Sequence, residues 1–272
     1  MKHESLHDER IPKIGFGAWK IGGGMSPDRS KDARSLTALR SALEVGYRHF
    51  DTAEMYASGH SEELIGQAIR ESDIPREELF IASKVSASHL RYDDLLRSCE
   101  NSLRRLGMDY LDLYLIHWPS RVIPLSDTLR ALNKLIREGQ VRHVGVSNFD
   151  LQLLKQAQVE SEAPILTDQV PYSLEDRSYV RNGVLEYCQK NDILLTAYSP
   201  VEEGRLHISP TLQAIADSHN ATPYQIALAW LVSQPRVITI PMSSEPEHIA
   251  ENFAAADIEL TLTEIEQLNR LA

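Results

Sequence analysis

Four side chains that can move protons lie within or just after short apolar stretches of the sequence: Asp51, Tyr56, Lys84 and His117. A Lys in an otherwise apolar strand is costly unless an acidic group pairs with it, and Asp51 could supply that group. Taken singly, the Asp could cap a turn, the Tyr could pack on a rim and the His could be a hydrogen-bonded core residue. Their joint occurrence at the ends of predicted strands favours a proton-transfer site.

The chemistry of such a site follows from the four groups. A Tyr phenol has a pKa near 10 and is a poor acid at neutral pH. A Lys ammonium about 4 Å away would favour the phenolate by up to about 4 kcal/mol, or about three pKa units, at an effective dielectric constant near 20. Lys84, held by Asp51, is therefore predicted to lower the pKa of Tyr56. Neutral His117 could orient a substrate carbonyl and share in proton transfer. Reduction of that carbonyl also needs a hydride, which no side chain provides, so a cofactor is implied.

Composition and charge exclude several classes of protein. The chain has 272 residues and a net charge of -11, without a basic patch, which argues against binding to nucleic acid or an anionic membrane. No apolar stretch approaches the roughly 20 residues of a membrane span, and residues 1–5 lack the apolar core of a signal peptide. Cys99 and Cys188 have no Cys-x-x-Cys neighbour and are predicted to be buried free thiols. We therefore expect a cytoplasmic protein.

The elements that must position these residues recur as a unit of apolar strand, polar loop and amphipathic helix. After a small hairpin around His7–Glu9, the predicted strands are Ile14–Trp19, Tyr47–Asp51, Leu79–Val85, Leu111–His117, Val141–Ser147, Ile165–Val170, Ile193–Tyr198 and Val237–Ile240. The predicted helices are Asp32–Val45, Glu62–Ser72, Tyr92–Leu106, Leu125–Glu138, Leu151–Gln158, Tyr179–Lys190, Thr211–Ser218, Pro223–Val232, Pro246–Phe253, and a last one that begins after Thr261 or Thr263 and runs to the end.

This alternation predicts an α/β fold with a closed parallel barrel, because the strands are too apolar to have a solvent-facing side. A (β/α)8 TIM barrel needs about 250 residues, so we expect residues 1–272 to form one domain with extra C-terminal helices. An open doubly wound sheet would need a Gly-x-Gly-x-x-Gly turn after its first strand. The stretch Gly22-Gly23-Gly24 has a different spacing, and we interpret it as a loop. A phosphate-handling barrel is disfavoured because no Gly-rich loop follows the seventh strand.

Three long stretches of the chain, in this order, resemble signatures of the aldo-keto reductases. They are DTAEMY (51–56) with Glu63 and Gly66, LGMDYLDLYLIHWP (106–119) and GQVRHVGVSNF (139–149). The resemblance covers nearly the whole chain. It implies a (β/α)8 barrel that binds a nicotinamide dinucleotide without a Rossmann fold and reduces aldehydes and ketones to alcohols.

The resemblance also implies roles for individual residues. Tyr56 would be the general acid, Lys84 and Asp51 its activating pair, and His117 the partner that orients the carbonyl. Several residues are expected at the cofactor: Gly17, Ala18 and Trp19 after the first strand; Asp51; Ser147, Asn148 and Gln169 at the nicotinamide carboxamide; Tyr198 on the ring; Ser199, Pro200 and Val201 along the pyrophosphate; and Met242, Ser243, Ser244, His248, Glu251 and Asn252 at the adenosine end. The substrate pocket would consist of Trp19, Met55, Ser86 and Trp118. No metal is expected.

Three positions depart from the family pattern. Met242 stands where a Lys is usual and His248 where an Arg is common, which weakens the contacts to the 2′-phosphate of NADP(H). We therefore expect NADP(H), the family default, and also NAD(H) to be used. Ser244 and Glu247 fit a capping box at this helix. Ser86 stands where many members have a Trp, and the loop after Trp118 and the C-terminal tail are short, so we expect an open pocket.

The expected partner is a small carbonyl substrate, and the family default for assembly is a monomer or a weak homodimer. A second hypothesis is a cofactor-binding redox sensor or regulatory subunit with vestigial reductase activity. Such a protein would keep the cofactor residues but would need a surface for its partner. The sequence has no added domain or basic arm that would supply one, so the reductase is favoured.

Overall fold

The structure, a computed structural model, describes residues 2–6 and 9–271 of the chain. Strand β1 (His3–Leu6) pairs antiparallel with strand β2 (Glu9–Pro12), as the predicted hairpin requires. His7 and Asp8 of the predicted turn lie outside the described residues. Leu6 and Ile11 of the hairpin are buried in one cluster with apolar side chains of the barrel strands, so the hairpin covers one end of the barrel.

Eight parallel strands of the described chain form one sheet, in which each strand pairs with the next in chain order. They are β3 (Phe16–Gly17), β4 (His49–Asp51), β5 (Phe80–Val85), β6 (Leu111–Ile116), β7 (Val141–Ser147), β8 (Ile165–Pro171), β9 (Leu194–Tyr198) and β10 (Val237–Thr239). A parallel bridge between Ile14, just before β3, and Thr239 in β10 joins the two edges of the sheet. The predicted (β/α)8 barrel is confirmed.

Helices follow the strands along the chain. They are α1 (Asp32–Val45), α2 (His60–Arg70), α3 (Tyr92–Leu106), α4 (Leu125–Arg137), α5 (Leu151–Glu160), α6 (Ser178–Arg181), α7 (Val184–Lys190), α8 (Pro210–Ser218), α9 (Pro223–Ser233), α10 (Pro246–Ala254) and α11 (Leu262–Asn269). Most lie within a few residues of their predicted bounds, and α1 and α3 match them. None of the helices in residues 2–6 and 9–271 is both long and apolar enough to cross a membrane.

The predicted single helix Tyr179–Lys190 is wrong, because the chain forms α6 and α7 with a break between them. Gly183 at the break has a φ of 85°, which lies in the left-handed region. A right-handed helix cannot contain such a residue, whereas glycine adopts this conformation at little cost. The break therefore ends α6 and begins α7.

The last two helices differ from their predicted caps. Glu245, and not Ser244, is the N-cap of α10, and it makes no side-chain capping bond, so the predicted capping box is wrong. The hydroxyl of Ser243 accepts the Glu245 N–H instead, at 3.1 Å. Thr261, and not Thr263, is the N-cap of α11, and its hydroxyl accepts the Glu264 N–H. The helix ends at Asn269 and not at the end of the chain.

Successive side chains along each strand alternate between the inside of the barrel and the surrounding helices, and this alternation places polar side chains at the carboxyl end of the barrel. On β5, Phe80 and Ala82 belong to the apolar cluster inside the barrel, while Ile81 and Val85 belong to the cluster under the helices. Since successive side chains point to opposite faces, Lys84 continues the inward series at the carboxyl end of its strand. The same period on β6 turns Leu113 and Leu115 inward, and His117 follows them.

Candidate active site

The carboxyl ends of the strands surround a cavity of about 430 Å³. Asp51 is the last residue of β4, Tyr56 lies in the short turn that follows, and His117 directly follows β6; all three line the cavity. Lys84, in β5, is fully buried beside them. The barrel therefore brings together the four residues in which the sequence predicted proton-transfer chemistry.

Lys84 is the centre of a buried hydrogen-bond network. Its ammonium donates to a carboxylate oxygen of Asp51, to the Thr52 carbonyl at 2.8 Å and to the Tyr56 hydroxyl at 3.3 Å. The other carboxylate oxygen of Asp51 accepts from the Gln169 amide at 2.9 Å. Each of the three ammonium protons thus has an acceptor, which a buried charge requires.

The network sets the charge states of the Lys and the Tyr. Burial lowers the pKa of Lys84, but Asp51 and then Tyr56 raise it by more, so the pKa of Lys84 lies above its usual value. Burial raises the pKa of Tyr56, and the opposing effect of Lys84 is smaller, so the pKa of Tyr56 is also raised. The expectation of a lowered Tyr pKa is wrong, because the burial of the phenol outweighs the nearby charge. Tyr56 therefore carries a proton at neutral pH.

His117 faces Tyr56 as a neutral imidazole. The two rings meet edge to face with centroids 5.6 Å apart. Burial, with the charge of Lys84 adding to it, lowers the pKa of His117 to about 3. His117 Nδ1 is buried and makes no hydrogen bond with the described residues. A neutral His beside a protonated Tyr can orient an oxygen atom through a hydrogen bond without competing for its charge.

A cluster of amides and hydroxyls borders the cavity beside this network. The Asn148 amide donates to the His117 carbonyl at 3.1 Å and to the Ser147 hydroxyl at 3.0 Å, and Ser147 donates to the Gln169 carbonyl at 2.8 Å. The Tyr198 hydroxyl donates to Asn148 Oδ1 at 2.8 Å. Amide oxygens have two lone pairs and hydroxyls can rotate, so this cluster fits a carboxamide that both donates and accepts hydrogen bonds.

An ion pair that the sequence analysis missed joins two loops bordering the cavity. Lys20 Nζ lies 2.8 Å from Glu203 Oε2, and each side chain is about half exposed. Both residues have left-handed backbones, with φ of 75° and 54°. Lys20 directly follows the predicted residue Trp19, and Glu203 lies two residues beyond Val201, so the neighbouring motifs were the only indication in the sequence.

A model of the aldo/keto reductase family matches residues 13–272, nearly the whole chain. The chain belongs to the aldo/keto reductase family. It is an NAD(P)H-dependent oxidoreductase that reduces carbonyl groups.

Relatives and solved structures agree with this assignment. The chain is 37% identical over 275 residues to the 9,11-endoperoxide prostaglandin H2 reductase of Trypanosoma cruzi, covering 98% of this chain and 90% of that protein. It is 35% identical over 269 residues to the methylglyoxal reductase YeaE of Escherichia coli, covering 97% and 92%. The structure of a thermostable aldo-keto reductase in complex with the inhibitor epalrestat is similar over 100% of both chains, with a TM-score of 0.96 and 50% identity. The aldo/keto reductase of Klebsiella pneumoniae in complex with NADP and acetate is similar with a TM-score of 0.90 and 37% identity, over 99% and 95% of the two chains.

The reductase cavity is bordered by most of the residues that the sequence nominated. Those that line it are Gly17, Ala18, Trp19, Asp51, Met55, Tyr56, His117, Trp118, Ser147, Asn148, Gln169, Tyr198, Ser199, Pro200, Val201 and Met242. Lining residues that were not nominated are Lys20, Glu203, Gly204 and Ile240. The nominated set and the cavity therefore coincide at the strand ends and differ mainly in the segment 243–252.

Besides the fully buried Lys84, six nominated residues of the reductase do not line this cavity: Ser86, Ser243, Ser244, His248, Glu251 and Asn252. Ser243 and Ser244 precede α10, whereas His248, Glu251 and Asn252 lie within it, and Arg34 of α1 pairs with Glu245 at its N-cap. Ser86 follows β5, and its N–H donates to Glu54 Oε1 at 2.6 Å. The roles given to these six residues stay predictions.

Proposed function

We propose that this reductase converts aldehydes and ketones to alcohols with Tyr56 as the proton donor and NADP(H) or NAD(H) as the cofactor. The observation that carries the proposal is the buried ammonium of Lys84, which contacts both Asp51 and the hydroxyl of Tyr56 beside an open cavity. A buried Lys held by an Asp and aimed at a phenol has no obvious use in stabilising a barrel, whereas it has a direct use in proton donation.

Each of the four residues then has a separate task. A bound reduced nicotinamide supplies the hydride that no side chain can provide. Neutral His117 hydrogen-bonds the substrate oxygen and orients the carbonyl, and Tyr56 donates its proton as negative charge develops on that oxygen. Lys84 stabilises the phenolate that remains, so its effect is strongest after the proton has left. Asp51 keeps Lys84 in place and neutralises its charge between turnovers.

The cofactor would be held mainly by residues at the carboxyl ends of strands β7, β8 and β9. Ser147, Asn148 and Gln169 are proposed to bind the carboxamide, and the Tyr198 ring is proposed to pack on the nicotinamide. Solved relatives in complex with NADP and with NADPH support binding of NADP(H) by the present chain. The pair of Lys20 and Glu203 joins two loops bordering the same cavity, so it would flank the bound dinucleotide.

The substrate side of the cavity is aromatic and open. Trp19 contacts the ring of Tyr56 with centroids 5.1 Å apart, and Trp118 at the rim is 48% exposed. Curated relatives include methylglyoxal and glyoxal reductases. We propose that this chain reduces small dicarbonyls, and that its exposed rim also admits bulky aryl ketones and keto esters. We propose further that it acts in the cytoplasm as a monomer or weak homodimer.

Initial rates of the purified protein with NADPH and with NADH, measured across a panel of aldehydes, dicarbonyls and ketones, test the proposal. We expect oxidation of both cofactors that depends on the carbonyl substrate. Binding of a cofactor without turnover on any member of the panel would contradict the proposal and favour the sensor or regulatory subunit.

The first prediction concerns the size of the substrate pocket. Ser86 has an extended backbone directly after β5, so its side chain follows Lys84 on the inward face. Ser86→Trp is expected to place a large ring at the pocket and to lower kcat/KM for aryl ketones relative to small aldehydes. The control is Ser88→Trp, on an exposed residue of the same turn. An unchanged ratio of bulky to small substrate efficiencies for Ser86→Trp would show that position 86 does not border the pocket.

The second prediction concerns cofactor choice. The segment 242–252 contains three Glu and no Lys or Arg, and Arg34 beside it is already paired with Glu245. Backbone N–H groups at the start of α10 can still bind phosphate. The affinity of the site for the 2′-phosphate of NADPH is therefore expected to be weakened and not abolished. We expect a preference for NADPH below about a hundredfold, because each lost charged hydrogen bond is worth about 1.5–3 kcal/mol.

The double variant Met242→Lys with His248→Arg restores the two cations that the family usually has at these positions. It should lower the Michaelis constant for NADPH and leave that for NADH unchanged. Val159→Lys adds a positive charge on an exposed residue of α5, away from the cavity, and is the control. A wild-type preference for NADPH of roughly a thousandfold, about 4 kcal/mol, would mean that a cation outside this segment reaches the phosphate.

A further inference from the structure

The turn that carries Tyr56 has an unusual backbone. Ala57 (φ 48°, ψ 36°), Ser58 (φ 53°, ψ 38°) and Gly59 (φ 92°) form three consecutive residues with positive φ. Residues other than glycine adopt this conformation at a cost of roughly 1–2 kcal/mol each. Such strain persists only where the surrounding contacts maintain it. The contacts of this turn therefore show what holds the proton donor in place.

The glycine-rich loop of residues 22–25 supplies part of these contacts. The Ala57 N–H donates to the Gly24 carbonyl at 2.7 Å, and the Ser58 hydroxyl donates to the Met25 carbonyl at 3.2 Å. The loop predicted at Gly22-Gly23-Gly24 thus contacts the Tyr56 turn and supports it.

His60 ties this loop to the helix that follows the turn. It is the first residue of α2 and is only 5% exposed. Its Nε2 lies 2.8 Å from Asp32 Oδ1 at the start of α1, and its Nδ1 lies 2.7 Å from Glu63 Oε2. The ring also packs against Gly22, where an added Cβ would lie 2.9 Å from His60 Cδ2. Gly22 has a φ of 74°, which by itself favours glycine.

The surroundings of His60 favour its charged form. Each ring nitrogen faces a carboxylate oxygen, and only the imidazolium donates from both nitrogens. Burial lowers the pKa of His60, but the hydrogen bonds with Glu63 and Asp32 outweigh burial, so its pKa is raised above the usual value. Two cations lie nearby: Arg29 is 3.9 Å from Glu63 and lowers the pKa, and Arg105 of α3 pairs with Glu62 and lies against Gly59.

We propose that protonated His60 is a positioning residue for Tyr56. It joins the start of α1, the start of α2 and the glycine-rich loop, and these three segments together hold the left-handed turn that carries Tyr56. When His60 loses its proton, one ring nitrogen has no hydrogen to donate to the carboxylate opposite it. One of the two hydrogen bonds of His60 is then lost, four residues from Tyr56, and the turn is held less firmly. The proposal rests on the proposed role of Tyr56 as the general acid.

His60→Gln keeps one amide donor and removes the charge, and it is expected to lower kcat on the order of 10- to 100-fold, the range expected when a reacting group is displaced by about 1 Å. The dissociation constant of NADPH, measured by the quenching of protein fluorescence, should not change. The control is His219→Gln, because His219 forms a similar pair with Glu264 at 3.0 Å far from the cavity. Wild-type kcat in His60→Gln would overturn the proposal.

A double-mutant cycle separates positioning from a general structural role. If His60 acts through the Tyr56 hydroxyl, adding His60→Gln to Tyr56→Phe should not lower the residual turnover further. If the fold-loss of turnover in the double variant equals the product of the two single losses, the proposal is overturned. If Tyr56→Phe itself retains wild-type turnover, the proposed function fails. If Tyr56→Phe is inactive and His60→Gln is not, only the present inference fails.

The pH dependence of kcat gives an independent readout. The pKa of His117 is about 3 and those of Tyr56 and Lys84 are raised, so none of these groups titrates between about pH 6 and 9. A group with a raised pKa acts fully below its usual pKa and loses its effect as pH rises through the raised value. Wild-type kcat should therefore fall with rising pH in this window, and His60→Gln should not show that fall. If His60→Gln does not fold, Glu63→Gln should move the fall to lower pH, and an unmoved profile would overturn the proposal.

Discussion

Replacing Tyr56 with Phe is expected to lower turnover by roughly 10²- to 10⁴-fold, the usual contribution of a general acid. The substitution removes only the hydroxyl, so the ring contacts with Trp19 and His117 remain and cofactor binding should be unchanged. Steady-state turnover of a simple aldehyde, with the NADPH dissociation constant measured in parallel, is the test.

Tyr187→Phe provides the matched control for the Tyr56 variant. Its hydroxyl is also hydrogen-bonded, to Gln158 between α7 and α5, but it is remote from the cavity. We expect wild-type turnover for this variant. If Tyr56→Phe kept more than about a tenth of wild-type turnover, the loss would be smaller than the loss expected on removal of an acid catalyst. Tyr56 would then not be the proton donor.

Replacing Lys84 with Met should damage both turnover and stability. Turnover should fall on the order of 100-fold or more, because the phenolate formed at Tyr56 loses the charge that stabilises it. Asp51 would be left as a buried carboxylate without its cation, which typically costs about 3–5 kcal/mol of unfolding free energy. Thermal unfolding and steady-state turnover, measured on the same preparation, report the two effects separately.

A second substitution distinguishes these two consequences of losing Lys84. Asp51→Asn in the Lys84→Met background removes the uncompensated charge, so most of the lost stability should return. Turnover should stay low, since no cation then faces Tyr56. Recovery of turnover together with stability would show that Lys84 acts only by supporting the fold and has no direct effect on the acid.

The raised pKa of Tyr56 changes the account of how the acid works. The sequence suggested that Lys84 brings the phenol towards a working pKa before the reaction. In the folded chain, burial raises the pKa of the Tyr56 phenol, so we propose that Lys84, 3.3 Å from the hydroxyl, acts on the product of proton transfer. A burial effect depends on every residue that covers the ring, including Trp19 from another loop, and no local pattern of residues reports it.

The barrel and most of its elements could be predicted from local patterns in the sequence. Strands such as β7 (Val141–Ser147) and helices such as α1 and α3 match their predicted bounds, because apolar periodicity and the glycines that end helices are local properties. Gly46 and Gly107 follow those two helices with φ of 116° and 68°. The positions of Asp51, Lys84 and His117 at strand ends could also be predicted, since parallel strands in a barrel share one carboxyl end.

Contacts between residues far apart in the chain became visible only in the folded structure. Lys20 meets Glu203, Arg34 meets Glu245, and His60 meets Asp32, and none of these pairs leaves a pattern in the sequence. The left-handed backbone at Gly183, which breaks the predicted helix, and the missing capping bond of Ser244 were likewise visible only in the folded chain. Strand and helix formation follows from interactions within a few residues, whereas charge states, caps and ion pairs depend on burial and distance, which exist only once the barrel has closed.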